Sequence, residues 1–142
     1  MKSLLCIVPG MAILLIAFVH FYWAFGGKKW LDIVIPKLEI PGRKNRTPGP
    51  VLTFLVALVF LAMAILVLGN VRFLPVQLID NQWFMCVHLV IGSLFVLRAI
   101  GDFRYVGFFK KIKGTPFANH DSWLYSPLSL GIGLLVMASI FS

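Results

Sequence analysis

The chain has 142 residues, 60% of them hydrophobic, a mean hydropathy of +0.94 and a formal net charge of +8. That composition excludes an ordinary soluble domain. Nucleic-acid binding is excluded by placement, because the Lys and Arg residues flank apolar runs and do not line a polar face. In a membrane protein such an excess records orientation and contact with anionic headgroups.

Four apolar runs, at 4–25, 51–69, 83–100 and 124–141, are each about 18–22 residues long. That is enough to cross a hydrocarbon layer roughly 30 Å thick at 1.5 Å per residue. They predict an all-α integral membrane four-helix bundle, a single domain over 1–142, with short interfacial segments in loops 1 and 3. Three loops remain, and they leave no room for a separate soluble domain.

The first run starts after Lys2, a meagre basic region, and ends in His20-Phe-Tyr-Trp-Ala-Phe-Gly-Gly. Those residues are bulky where a cleavage site needs small ones, so a retained helix is expected. Pro9 lies near its start, where a proline costs little. Tyr22 and Trp23 suit the interface. His20 shares a stripe with Ala24 and Gly27, a face narrow enough to meet another helix.

Loop 1 carries Lys28, Lys29, Lys37, Arg43, Lys44 and Arg46, and its prolines forbid a continuous helix. Its stretch from Trp30 to Ile35 is apolar enough to lie among the headgroups. The second run has Thr53 as its only polar side chain and reads as scaffold. Loop 2 is short and holds Arg72 and Asp80.

In the third run, steps of three and four place His88, Gly92, Phe95, Ala99 and Asp102 on one helical face. Arg98 and Asp102 are four apart and can pair, although Arg before acid is the weaker order. Loop 3 then mixes aromatics with lysines in Val106-Gly-Phe-Phe-Lys-Lys-Ile-Lys, a segment expected to lie in the interface. Asp121 precedes the fourth run, where a carboxylate would cap the helix. Ser126, Ser129 and Gly133 form a close-packing stripe within that run.

Eleven of the thirteen Lys and Arg residues lie in loops 1 and 3, counting Arg98 at the adjoining end of the third run. The positive-inside rule puts those loops in the cytoplasm and both termini outside. One level then holds His20, Trp23, Arg98, Asp102, Arg104, Asp121 and Tyr125, a candidate polar pocket at the cytoplasmic interface. His20 with Asp102 or Asp121 would exchange protons as catalytic groups. Arg98 and Arg104 would hold an anionic group, and Trp23 and Tyr125 would wall the pocket. His20 and His88 differ in depth by roughly 15 Å at 1.5 Å per residue, so the two are not expected to share a haem. Cys6 and Cys86 are expected at similar depth, as two separate thiols.

Three blocks carry a resemblance: His20-Phe-Tyr-Trp-Ala-Phe-Gly-Gly, Arg98-Ala-Ile-Gly-Asp-Phe-Arg-Tyr-Val-Gly-Phe-Phe-Lys and Asp121-Ser-Trp-Leu-Tyr-Ser-Pro-Leu. Together they are similar to a family of small bacterial four-helix membrane proteins of unknown function. The resemblance implies a bacterial cell (inner) membrane and the four-helix layout. It brings no activity and no catalytic residue.

Three functions fit the convergence. The chain could bind or act on a lipid-like or amphipathic small molecule by His/Asp proton exchange. It could be a non-catalytic accessory or binding subunit of a membrane complex. It could be a proton-coupled carrier, although four helices enclose little space. The expected partners are the bilayer, anionic headgroups at the Lys and Arg residues of loops 1 and 3, and a second copy or another membrane protein. No nucleotide loop, zinc spacing, Cys-x-x-Cys or Gly-x-Ser-x-Gly is present. The sequence names no cofactor, and no metal site is expected.

Overall fold

A computed structural model describes residues 2–35, 48–69 and 81–141. All regular structure among them is helical. Helix α1 is Lys2–Ala24, α2 Leu31–Val34, α3 Pro50–Leu68 and α4 Asn81–Ile100. The last span is continuous from Pro116 to Phe141: α5 (Pro116–His120), a π-helical turn (Asp121–Tyr125), α6 (Ser126–Ala138) and a closing 3-10 turn. Among the described residues, four stretches are long and apolar enough to cross a membrane: Ser3–Ala24, Pro50–Leu68, Trp83–Ile100 and Pro116–Phe141. Loop 2 with Arg72 and Asp80, and Lys37, Arg43, Lys44 and Arg46 of loop 1, lie outside the described residues.

The helices pack as a chain of neighbours. Helix α1 lies against α3 and α6, α4 lies against α6, and α3 scarcely touches α4. Cys6, Ile13, Ala64, Val67, Ile91, Phe95, Ile132 and Val136 form the buried core. Phe60 of α3 spans the open side, its ring 5.0 Å from His20 of α1 and 6.2 Å from Phe95 of α4. Large apolar side chains such as Leu15, Phe18, Leu55, Val59 and Leu97 point outward. In water that would be a liability, whereas in lipid it is the ordinary outer surface. Cys6 is buried and Cys86 exposed, and no disulfide joins them.

Helices α4 and α6 meet through glycine. A Cβ on Gly133 would lie 2.8 Å from the Gly92 carbonyl oxygen and 3.1 Å from the Val96 nitrogen, so backbone rests on backbone. Small residues allow such approach where no hydrophobic drive between helices exists. This contact sets the register of α4 on α6, and with it the reach of Arg98.

The fourth helix begins earlier than hydropathy indicates. Thr115 is its N-cap, accepting from the Ala118 amide at 3.0 Å, and Pro116 occupies the first turn. Asp121 is therefore inside the helix and does not cap it. Asn119, His120 and Asp121 lower the local hydropathy enough to hide these first turns. The π turn also has a cause in the sequence. Pro127 has no amide for the Trp123 carbonyl and its ring crowds that carbonyl, so one extra residue is accommodated. The Ser126 amide accordingly donates to the Asp121 carbonyl, five residues back.

Replacing Gly133 by Ala is expected to cost about 1–3 kcal/mol by forcing α4 from α6. Gly131→Ala, where a Cβ meets nothing within 4 Å, should be neutral or stabilising. Melting in detergent distinguishes them, and equal melting temperatures would contradict this packing.

Candidate functional site

The site is built where α4 ends and the chain turns back. Gly101 and Gly107, at φ of 90° each, cross so closely that a Cβ on either would run into the other's strand, at the Val106 and Ile100 carbonyls. Only glycine fits both the left-handed backbone and the space. The crossing is pinned by Phe108 N–H donating to the Ala99 carbonyl (2.9 Å) and Asp102 N–H donating to the Val106 carbonyl (3.2 Å).

Asp102 fixes the turn from inside. Its Oδ1 accepts from the amides of Arg104, Tyr105 and Val106 at 2.9, 2.7 and 2.9 Å. Partial desolvation pushes its carboxyl up, but the amides of Val106, Tyr105 and Arg104 outweigh that and hold it below the usual carboxylate range. The expected pair with Arg98 does not form. The carboxylate is taken by amides nearer in sequence, and Arg98 is drawn elsewhere.

Arg98 reaches Asp121. Its Nη2 donates to Asp121 Oδ1 at 2.8 Å. Asp121 is fully buried, and its Oδ2 accepts from the Gly107 amide (2.8 Å) and from Lys110 Nζ (3.0 Å). Lys110 is buried as well, and donates further to the Gly107 carbonyl (3.0 Å) and Ser122 Oγ (2.8 Å). One carboxylate thus ties α4, the loop and the last helix together. Two cations serve one anion, so the cluster carries one excess positive charge.

The remaining expected residues sit around this cluster. His20 is half-buried, its Nδ1–H donates to the Ile16 carbonyl (2.8 Å), and its ring lies 5.1 Å from Trp23 and 5.0 Å from Phe60. Among the described residues, no hydrogen bond or ion pair joins His20 to Asp102 or Asp121. Trp23 donates to the Lys29 carbonyl (2.9 Å). Arg104 lies over the Tyr105 ring, 5.3 Å from its centre. Tyr125 is half-buried, with its ring 6.4 Å from both Phe117 and His120. Of the seven expected residues, the structure joins Arg98 to Asp121 through a shared bond. It adds Gly107, Lys110 and Ser122, which sequence reasoning missed. The paired glycines six residues apart were a signal for the tight turn, whereas nothing distinguished Lys110 from Lys111 and Lys113.

Four apolar helices among the described residues, with a buried charge cluster where α4 meets the last of them, define a multi-pass membrane protein. Residues 13–136 match the family described as Protein of unknown function (DUF3995), and the chain belongs to that family. No curated protein and no solved structure matches the chain. Among the described residues, no group of three or more His, Cys, Asp or Glu side chains could hold a metal ion.

Removing the Asp121 carboxylate leaves two cations facing each other at membrane depth. Asp121→Ala should destabilise by about 3–5 kcal/mol, the range for a broken buried pair. Adding Lys110→Met should recover part of that loss, and strictly additive melting shifts would show that the two do not interact.

For Asp102 the sign follows from its lowered pKa. The turn's stabilisation is full above the unfolded carboxylate range and is lost as pH falls through the lowered folded value. Amide exchange at 104–106 should accelerate only at strongly acidic pH in the native chain, and at all pH values in Asp102→Ala.

Proposed function

We propose that this protein is a non-catalytic membrane protein that binds anionic amphiphiles at its basic end, through the loop between α4 and the last helix. The observation that carries this reading is the division of labour among the charges. Asp102 and Asp121 each accept three hydrogen bonds, so neither is poised to trade protons. Arg104, Lys111 and Lys113 instead stay exposed among the exposed rings of Phe103, Phe108 and Phe109. Aromatics at the headgroup level with lysines reaching for phosphate are what an interfacial binding segment requires.

On this reading Arg98 and Arg104 hold the anionic group, while Asp102 and Asp121 keep the loop in shape. Trp23 and Tyr125 support the same rim from neighbouring helices. The charge asymmetry supports a cytoplasmic position for the rim and outer positions for both termini, and the family resemblance supports a bacterial inner membrane.

Each cation near an anionic surface contributes about 1 kcal/mol. Arg104→Gln, Lys111→Gln and Lys113→Gln combined should therefore lower the preference for anionic over zwitterionic lipid by roughly a hundredfold. Quenching of tryptophan by brominated phosphatidylglycerol and phosphatidylcholine in reconstituted bilayers measures that preference. An unchanged preference would remove the reading, and a carboxy-terminal reporter active only in the cytoplasm would remove its orientation.

A further inference from the structure

His20 donates its Nδ1 proton to the Ile16 carbonyl at 2.8 Å. A carbonyl can only accept, so Nε2 of the neutral ring is left as an acceptor. Among the described residues nothing donates to Nε2, yet it is not one of the sealed-in polar atoms without a partner. It is therefore accessible to a donor from outside the chain. His20 lies four residues inside the end of the span Ser3–Ala24, roughly 6 Å from that end at 1.5 Å per residue. Water is scarce at that depth, and an acceptor left without a donor there is costly. The Trp23 ring meets the imidazole edge-on at 5.1 Å, and the Phe60 ring lies tilted at 5.0 Å. Trp23 Nε1 is committed to the Lys29 carbonyl, so that side chain offers a ligand only ring surface. All three side chains stay half-exposed despite touching one another, on the side where α3 scarcely touches α4. Their remaining exposed surface gives a molecule in the bilayer both room and approach.

We propose that His20 Nε2, with the rings of Trp23 and Phe60, binds the headgroup of a neutral, hydroxyl-bearing membrane amphiphile, either a quinol or a lipid alcohol. The hydroxyl donates to Nε2, and the carbon skeleton lies against the two rings. The site has a single polar atom, and that atom accepts. A quinone is a poor match, because its carbonyls also accept, and so is a phosphodiester, whose oxygens would set acceptor against acceptor. No charged side chain among the described residues bonds to His20, so nothing at the site calls for an ionic ligand. Aromatic walls favour a flat ring, which gains from edge-to-face or offset contact beyond the area it buries. This site is separate from the basic loop after α4 and does not rest on the anionic-amphiphile reading.

The test compares ligands that differ in the donor alone. The full chain in detergent is titrated without oxygen against decylbenzoquinol, decylbenzoquinone and dioctanoylglycerol, with affinity read by calorimetry and folding by melting temperature. The native chain should bind the quinol about tenfold more tightly than the quinone, the scale of one hydrogen bond. His20→Phe keeps a ring against Trp23 and Phe60 and removes the acceptor, so it should bind quinol and quinone alike, at the weaker level. Phe60→Leu keeps an apolar side chain and removes one wall. It should weaken the quinol severalfold, and it locates the site should His20→Phe fail to fold. Tight binding of dioctanoylglycerol in place of the quinol, lost in the same variants, assigns the site to lipid alcohols. Native-like binding by whichever variants fold overturns the site. So does a native chain that holds the quinol no better than the quinone and does not hold dioctanoylglycerol.

Discussion

The carboxylate of Asp121 is the point on which the end of the bundle beside the loop after α4 turns. It lies inside a membrane-spanning helix with no exposure, where an isolated charge is strongly disfavoured. Arg98, Lys110 and the Gly107 amide must all be brought to it, the first from α4 and the other two from the loop that follows. Arg98 arrives because α4 and α6 touch at Gly92 and Gly133, which fixes the level of the guanidinium. Gly107 arrives because the Gly101 crossing folds the loop back on the end of α4. Lys110 arrives three residues later, bonded to the Gly107 carbonyl as well as to Asp121. The turn, the register and the buried pair therefore stand or fall together.

Much of this was legible from residue order, and the part that was not has a physical reason. The four spans follow from length and hydropathy, because a bilayer accepts few alternatives to an apolar helix. The convergence of Arg98 and Asp121 followed from topology, because consecutive spans put the end of the third and the start of the fourth on one face. Pairing within the cluster did not follow. Arg98 had a carboxylate four residues away in Asp102, and helical spacing favoured it. Spacing arguments assume that the helix continues, and here α4 ends at Ile100, so Asp102 is outside the helix and captured by its own turn. Similarly, Asp121 looked like a cap because hydropathy hides a helix start made of Thr115, Pro116 and polar residues.

Lys110 shows a different limit. In Lys110-Lys111-Ile-Lys113 the three lysines are equivalent by composition, yet one is buried and two are exposed. What separates them is the direction of the loop after Gly107, set by a long-range bond to Asp121 and not by any local pattern. His20 illustrates the reverse case. An intramembrane histidine invites a functional reading, but an imidazole can give its Nδ1 proton to the carbonyl one turn back and lay its ring against Trp23 and Phe60. Such a contact satisfies the donor without any charged partner.

The contrast between the two buried cations carries the last step. An ammonium has three hydrogens, and Lys110 directs its nitrogen to three acceptors: the Gly107 carbonyl, Asp121 and Ser122. Its capacity is matched to its surroundings, as a structural cation's should be. A guanidinium has five donors in a fixed fork, and Arg98 uses one terminal nitrogen on Asp121 while the other is buried without a partner among the described residues. If the cluster served only to close the loop, a lysine at position 98 would leave no such remainder. The mismatch between what Arg98 can donate and what the chain accepts sits at Nη1, within a cluster of surplus positive charge.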